Sequence, residues 1–327
     1  MLRNLVAATL WACPLLAFQV HAETILGIRE ADGHLISFDS EAPGAITGDR
    51  ALTGLPDGTQ LSAIDFNAAT RAVYAVVRGP ATGQCQLYRL DTAAAAVTPI
   101  GNNRFRCNIV SDIDINPFDN NSRFIGGVSV FDVNIDGAVV QLPDVVAVRR
   151  ADAAYPATGD FSSGSTPDVR DTAYDHNTVV ASAGQTSLFA IDETAHTLVR
   201  VGADTSPIEP PTTLTTIGTG LGAGVGGGPL DISGASGIAY MFDYDFGPGV
   251  GSHGKLYTVD LVSGVATLVG KVGTESLNLL GMTVIPNDVP LSPMSGGSGG
   301  GGGAFAPGLL AGLSCLLGLR RRRRARR

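Results

Sequence analysis

The body of the chain lacks amphipathic helix-forming sequence. No long segment carries the 3.6-residue apolar period of an amphipathic helix, which speaks against helical bundles and against alternating strand and helix layers. Positive charge is scarce as well. With Arg3 and the seven arginines among the last eight positions set aside, 14 basic residues face 30 acidic ones, a formal charge of −16. Such a body repels phosphate backbones, so nucleic acid is not expected as a partner. Cysteine is rare too: Cys13 and Cys315 fall in terminal segments, leaving Cys85 and Cys107 in the body. Without a Cys-x-x-Cys, that pair reads as one structural disulfide in an oxidising compartment. The body histidines, His34, His176, His196 and His253, show no His-x-x-x-His spacing and no recognisable nucleophile motif beside them. Nothing here has the outline of a zinc hydrolase or a serine or cysteine hydrolase.

What is present is repetition. "HLISFDSEAPGAIT", "QLYRLDTAAAAVTPIG", "SLFAIDETAHTLVRVG" and "KLYTVDLVSGVATLVG" each give an alternating apolar strand, an aspartate, a small-residue turn and a second strand. This is a hairpin signal. A weaker copy is "DVNIDGAVVQL", with the tight-turn pair Asp136-Gly137. The aspartates of these copies are Asp39, Asp91, Asp136, Asp192 and Asp260. Between them lie further strand pairs in "LSAIDFNAATRAVYAVV", "VSDIDINPFDNNSRFIGG", "TAYDHNTVVAS" and "LDISGASGIAYMFD". A unit of four strands in roughly 50 residues has the size of a propeller blade. The chain opens on "TILGI", without an inner strand before it, and closes on the unpaired strand "LLGMTVIP". The expectation is therefore an all-β, five-bladed β-propeller over residues 23–287, closed by pairing of its N- and C-terminal strands, which leaves no open sheet edge. The insert "RRADAAYPATGDFSSGSTPDVRD" reads as a surface excursion, and the glycine-rich "GAGVGG" of Gly222 to Gly227 as a mobile loop.

"LSAIDFNAATRAVYAVV" followed by "QLYRLD", then "DIDINP" and "KLYTVDLVSGVATLVG", resembles the secreted bacterial proteins grouped as domain of unknown function 4394. That resemblance implies a propeller-like fold and brings no activity with it. The family's aromatic-Asp-Phe-Asn-Pro pattern corresponds to Asp114-Ile115-Asn116-Pro117, and an arginine that follows it corresponds to Arg123.

The two ends read as addresses. Residues 1–22, with Arg3 ahead of an apolar run and Val20-His21-Ala22 at its end, form the pattern of a signal peptide cut by signal peptidase between Ala22 and Glu23. A lipoprotein signal at Cys13 is disfavoured by the bulk of Trp11. Residues 288–303 form a Gly/Ser/Pro-rich linker, 304–319 a short apolar helix, and 320–327 an arginine-rich cytoplasmic tail. Sixteen helical residues reach about 24 Å, a little less than the roughly 30 Å of hydrocarbon in a bilayer. The arginines would hold the extreme end inside, and the body outside the inner membrane, facing the periplasm. Glycine stretch, short helix and arginines together resemble the GlyGly-CTERM sorting signal. This implies a rhomboid-type sorting protease acting near Gly301, Gly302, Gly303 and Ala304, and release to the cell surface or medium after transient anchoring. A plain single-pass anchor is the alternative.

The polar candidates are the aspartates of the presumed innermost strands: Asp65, Asp112, Asp114, Asp175 and Asp231. One carboxylate per blade around a channel could surround a cation, and calcium is the one that such oxygen ligands suit. The plainer account has these aspartates accepting backbone hydrogen bonds in the turns that follow, with no cofactor needed. "DIDINPFDNNSR" is not an EF-hand, since Pro117 stands where glycine is required and Arg123 where the bidentate glutamate belongs. "GAGVGG" matches G-x-G-x-x-G without the helix that a nucleotide site needs. The sequence therefore favours a non-enzymatic exported propeller that binds a ligand or surface partner. The alternative is a carbohydrate-active hydrolase using paired aspartates.

Overall fold

The computed structural model describes residues 22–79, 83–101, 104–106, 112–117, 122–126, 129–133, 147–149, 153–178, 186–202, 213–244, 254–274, 277–287 and 290–292. The proposed signal peptide, sorting helix and arginine tail lie outside the described residues, as do Cys107 and the Asp136-Gly137 turn. Among the described residues there is no helix long and apolar enough to cross a membrane.

Strands follow one another in short antiparallel runs. The first group is β1 (Thr24–Arg29), β2 (Leu35–Asp39) and β3 (Ala42–Arg50). Next come β4 (Gln60–Asn67), β5 (Ala72–Arg78), β6 (Gln84–Asp91), β7 (Ala96–Pro99) and β8 (Phe105–Arg106). They are followed by β9 (Asp112–Ile115), β10 (Ser122–Gly126), β11 (Ser129–Val133) and β12 (Ala147–Arg149). The next set is β13 (Val169–Tyr174), β14 (Leu188–Asp192), β15 (Thr197–Val201) and β16 (Leu214–Ile217). The last are β17 (Leu230–Ile232), β18 (Ala239–Asp243), β19 (Lys255–Val259), β20 (Ala266–Lys271) and the closing β21 (Leu279–Ile285).

The architecture is all-β and propeller-like. Four sheets have four strands each, in the orders β21-β1-β2-β3, β12-β11-β10-β9, β13-β14-β15-β16 and β17-β18-β19-β20. The expectation of five plain four-stranded blades is thus met by four. The sheet β4-β5-β6-β7 departs from it by gaining β8 against β6. The cause is the shortness of β7, which pairs only with Tyr88 to Asp91 and leaves the start of β6 uncovered. There Gln84 and Cys85 pair with Arg106 and Phe105, which occupies backbone groups that would otherwise form an open edge. β11 pairs through Phe131 to Val133 with Ala147–Arg149, and the "AVVQL" stretch after Asp136 lies outside the described residues.

β1 and β21 join the two ends of the body. Leu26 faces Thr283 and Thr24 faces Ile285 in an antiparallel ladder. Beyond it, Thr24 Oγ1 donates to Asn287 Oδ1 at 2.9 Å. The inner strands touch in the cyclic order β21, β4, β9, β13, β17 and back to β21. Being covered on both faces, they are buried along nearly their whole length, as in Ala63 to Asn67 and Asp112 to Ile115. Packing between neighbours is close: a Cβ on Gly281 of β21 would stand 2.9 Å from Ala63 Cα of β4. Apolar side chains fill the spaces between sheets, with Phe38, Phe66, Phe242 and Ile64 among the largest fully buried. Each such side chain contributes roughly 1.5–3 kcal/mol of burial.

Two segments expected at the surface are instead tied in. Ala153 and Tyr155 of the long insert are buried in the core beside β13 to β16, and Tyr155 donates its hydroxyl to Asp192 Oδ2 at 2.5 Å. In the glycine-rich loop, Leu221 and Val225 enter the core between sheets, and the Gly226 and Gly227 N–H groups both donate to Asp243 Oδ1. Gly227 sits at φ +122°, a conformation open in practice only to glycine.

Candidate functional site

The aspartates fall into two families by the groups they bond. The rim aspartates cap their own turns: Asp39 Oδ1 accepts from the Glu41 N–H, Asp91 Oδ1 from Ala93 and Ala94, and Asp260 Oδ1 from Val262 and Ser263. Asp192 Oδ1 accepts from Thr194 and Ala195 in the same way. These are Asx turns, as expected from aspartate before a small-residue turn.

The inner aspartates do something else. Asp65 Oδ2 on β4 accepts the Ile115 N–H of β9 at 2.8 Å. On β9, Asp112 Oδ2 and Asp114 Oδ2 accept the Thr172 and Tyr174 N–H groups of β13, at 2.9 and 3.1 Å. Asp231 Oδ2 on β17 accepts the Val284 N–H of β21 at 2.6 Å and the Thr283 hydroxyl at 2.8 Å. The Thr283 hydroxyl then accepts the Phe66 N–H of β4 at 3.0 Å. Each of these side chains therefore bonds the next inner strand around the axis, not a following turn. Three of the carboxylates, Asp65, Asp114 and Asp231, bring an oxygen each to within 4.8 Å of one another.

All four acids are at most 3% exposed, and the electrostatics follow from that. Burial first, and then the neighbouring Asp231, raises the Asp65 carboxyl well above the usual range. Asp114 is raised by burial and by Asp65, Asp231 and Asp112 in turn. For Asp112 the causes are burial and Asp171. Asp231 is pushed up only to about 6, because the Val284 and Thr283 donors counter its burial. Desolvation disfavours the charged form, and like charges add to it.

The profile of the domain of unknown function DUF4394 matches residues 34–283, a span that contains this whole belt of aspartates. The chain belongs to the DUF4394 family. No curated protein matches it. Among solved structures, this DUF4394 chain is similar to one in a nidogen/laminin complex, with 10% identity over 81% of this chain and 98% of that one, TM-score 0.46. It is also similar to a putative 6-phosphogluconolactonase from Bacteroides uniformis, with 17% identity over 77% and 83% of the two chains, TM-score 0.38. A protein from Lactobacillus plantarum gives 13% identity over 82% and 69%, also at 0.38. Likenesses at this level carry no argument about function.

Not every predicted residue of the DUF4394 chain joins the axis. Asp175 lies just past the end of β13, accepts the Ser187 N–H at 2.5 Å and pairs with the exposed His176 at 3.1 Å. The acid that β13 does bury is Asp171, which the sequence pattern missed. It sits at φ 50° in a break of register between Arg170 and Thr172, and burial pushes its carboxyl up to about 8. Thr283 was missed as well, since a lone threonine in an apolar strand gives no signal. Glu23 is also buried, accepting from the Ser233, Ser236 and Tyr240 hydroxyls. "DIDINP" forms β9 and the start of a turn, and its two aspartates face β13 through their hydrogen bonds. Cys85 is buried on β6, opposite Phe105. His34 belongs to a surface ion cluster with Arg29 and Asp49, and His196 Nδ1 lies 2.9 Å from the Gly226 carbonyl oxygen. His253 lies outside the described residues. A surface pocket lined by Thr59, Val77, Gln84, Tyr88 and Arg104 offers about 20 Å³ and none of the aspartates. That is room for about one water.

Proposed function

We propose that this DUF4394 protein is an exported, non-enzymatic binding protein, built as a closed ring of five blades that presents inter-blade loops to a ligand or surface partner. The observation that carries the reading is the use of the inner carboxylates. Asp65, Asp112, Asp114 and Asp231 are buried, and each accepts a backbone N–H from the neighbouring inner strand. Groups so engaged hold the ring together and are shut away from a substrate. The ladder between β1 and β21 supports the closed ring.

Export rests on the sequence of the ends: a signal removed between Ala22 and Glu23, and a tail trimmed near Gly301 to Ala304 after transient anchoring in the inner membrane. An oxidising destination agrees with a Cys85–Cys107 disulfide, since Cys85 pairs with Phe105, two residues before Cys107. A carbohydrate-active hydrolase is the second reading. It draws on the proximity of Asp65, Asp114 and Asp231, whose oxygens lie within 4.8 Å, near the ~5 Å carboxyl separation of retaining glycosidases.

The deciding experiment is a glycan and metabolite screen on the exported protein, with binding and turnover read in parallel. Saturable binding without product is expected. Product formation that disappears in Asp114→Asn would overturn the reading in favour of the hydrolase. Mass spectrometry of the released protein tests export, with a chain starting at Glu23 and lacking the arginine tail as the expected result.

A further inference from the structure

The axial acids pose a problem that their hydrogen bonds do not solve. Asp114 spends Oδ2 on the Tyr174 N–H, while its other oxygen, Oδ1, is buried and has no donor. Asp65 spends Oδ2 on Ile115, its Oδ1 has the Thr283 hydroxyl at 3.5 Å, and the Phe66 N–H also donates to this carboxylate. That hydroxyl has one hydrogen, and Asp231 Oδ2 at 2.8 Å is the better acceptor for it. One carboxylate oxygen, Asp114 Oδ1, thus stands in the interior with no hydrogen-bond partner among the described residues. No lysine, arginine or histidine forms an ion pair with these three acids among the described residues. Buried carboxylates are tolerated when a cation or a set of hydrogen bonds compensates them.

We propose that Asp65, Asp114 and Asp231 jointly bind one divalent cation, calcium by preference, on the axis where β4, β9, β17 and β21 meet. Their oxygens lie within 4.8 Å of one another, the span available to ligands placed 2.3–2.6 Å from a common calcium ion. The donor set is oxygen alone, which selects hard cations over zinc or copper. Calcium fits better than magnesium because its coordination is variable, whereas magnesium demands a near-octahedral shell. The backbone donors hold each carboxylate in place and counter part of the burial that favours its protonated form, and a bound cation would displace the remaining protons. Because the three ligands come from strands distant in sequence, a bound ion clamps separate sheets to one another. The proposal is independent of what the loops bind, and its failure would leave the binding-protein reading untouched.

The test uses the full protein stripped with EDTA and then titrated with calcium chloride at neutral pH. One equivalent of bound calcium by elemental analysis is expected, together with a rise in Tm of about 5 °C or more at calcium a hundredfold above Kd. Asp114→Asn should abolish both binding and the calcium-dependent rise. Its metal-free form should melt no lower than the metal-free wild type, since the substitution removes a buried charge. Should that variant fail to fold, the wild-type titration decides by itself. Less than 0.1 equivalent of calcium, with one Tm in EDTA and in calcium, would overturn the proposal and assign the site to shared protons. A calcium-dependent rise kept in full by Asp114→Asn would overturn it as well, by placing the ion elsewhere.

Discussion

The rim and the axis of this molecule use the same amino acid for opposite purposes. At the rim, Asp39, Asp91 and Asp260 bond N–H groups two or three residues ahead, so each organises only its own hairpin. Along the axis, Asp65 reaches a residue 50 positions away, Asp112 and Asp114 reach 60, and Asp231 reaches 53. The first set shapes local turns in contact with water. The second joins sheets in the dry interior. An identical side chain is therefore a minor stabiliser in one place and a structural tie in the other, and the difference lies in solvent and in sequence distance.

The comparison breaks most readily at Asp231. Asp231→Ala leaves the Val284 N–H, the Ile232 N–H and the Thr283 hydroxyl without their acceptor, and relief of the buried charge offsets part of that loss. A net destabilisation of about 2–4 kcal/mol is expected in urea unfolding, with lower cooperativity as the ring opens. A loss under ~1 kcal/mol would reduce the axis to the standing of the rim.

Asp171 is one source of pH dependence. Its carboxyl is raised to about 8 by burial first and then by Glu193, against ~3.9 in the unfolded chain. Below pH ~4 the group is neutral in both states and costs nothing. Between pH ~4 and 8 the folded state keeps a proton that the unfolded state releases, so stability falls as pH rises through this window. Asp171→Asn should lessen that decline, to which the raised Asp65, Asp112, Asp114 and Asp231 carboxyls also contribute, gaining about 1–3 kcal/mol at pH 8 relative to wild type. Asparagine also tolerates the φ of 50° found there. Equal pH slopes in the two proteins would show that Asp171 is not the titrating group.

Asp192 lies between the two classes. It caps a turn like a rim residue, yet it is fully buried and takes the Tyr155 hydroxyl. Tyr155→Phe should cost about 1–2 kcal/mol by thermal or urea unfolding. The smallest effect belongs to Asp91→Ala, about 0.5–1 kcal/mol, because water replaces the lost acceptor for Ala93 and Ala94.

What the sequence reveals follows the same division. Hairpins announced by Asp39, Asp91, Asp192 and Asp260 were readable because strand, aspartate and turn are contiguous. The inner strands were readable from their apolar runs, and Asp65, Asp112, Asp114 and Asp231 from their recurrence within them. The purpose of those aspartates was not, because their donors belong to other sheets. The sequence pattern points to Asp175 and gives no sign of Asp171, because a break of register shifts which residue β13 turns inward and no local pattern reports such a break. β8 escaped notice because two residues carry no periodicity. The insert with Tyr155 read as surface because its composition is polar, although one tyrosine and one alanine suffice to anchor it.

The ladder joining β1 to β21 has a consequence for how the protein is made. The segment that leaves the ribosome first after residue 22 must wait for one near residue 285 before its sheet is complete. Until then an apolar edge is exposed to any neighbouring chain. A polypeptide crossing a membrane in an extended form and gathering itself on the far side would meet that requirement well, since assembly could begin only when synthesis is nearly over.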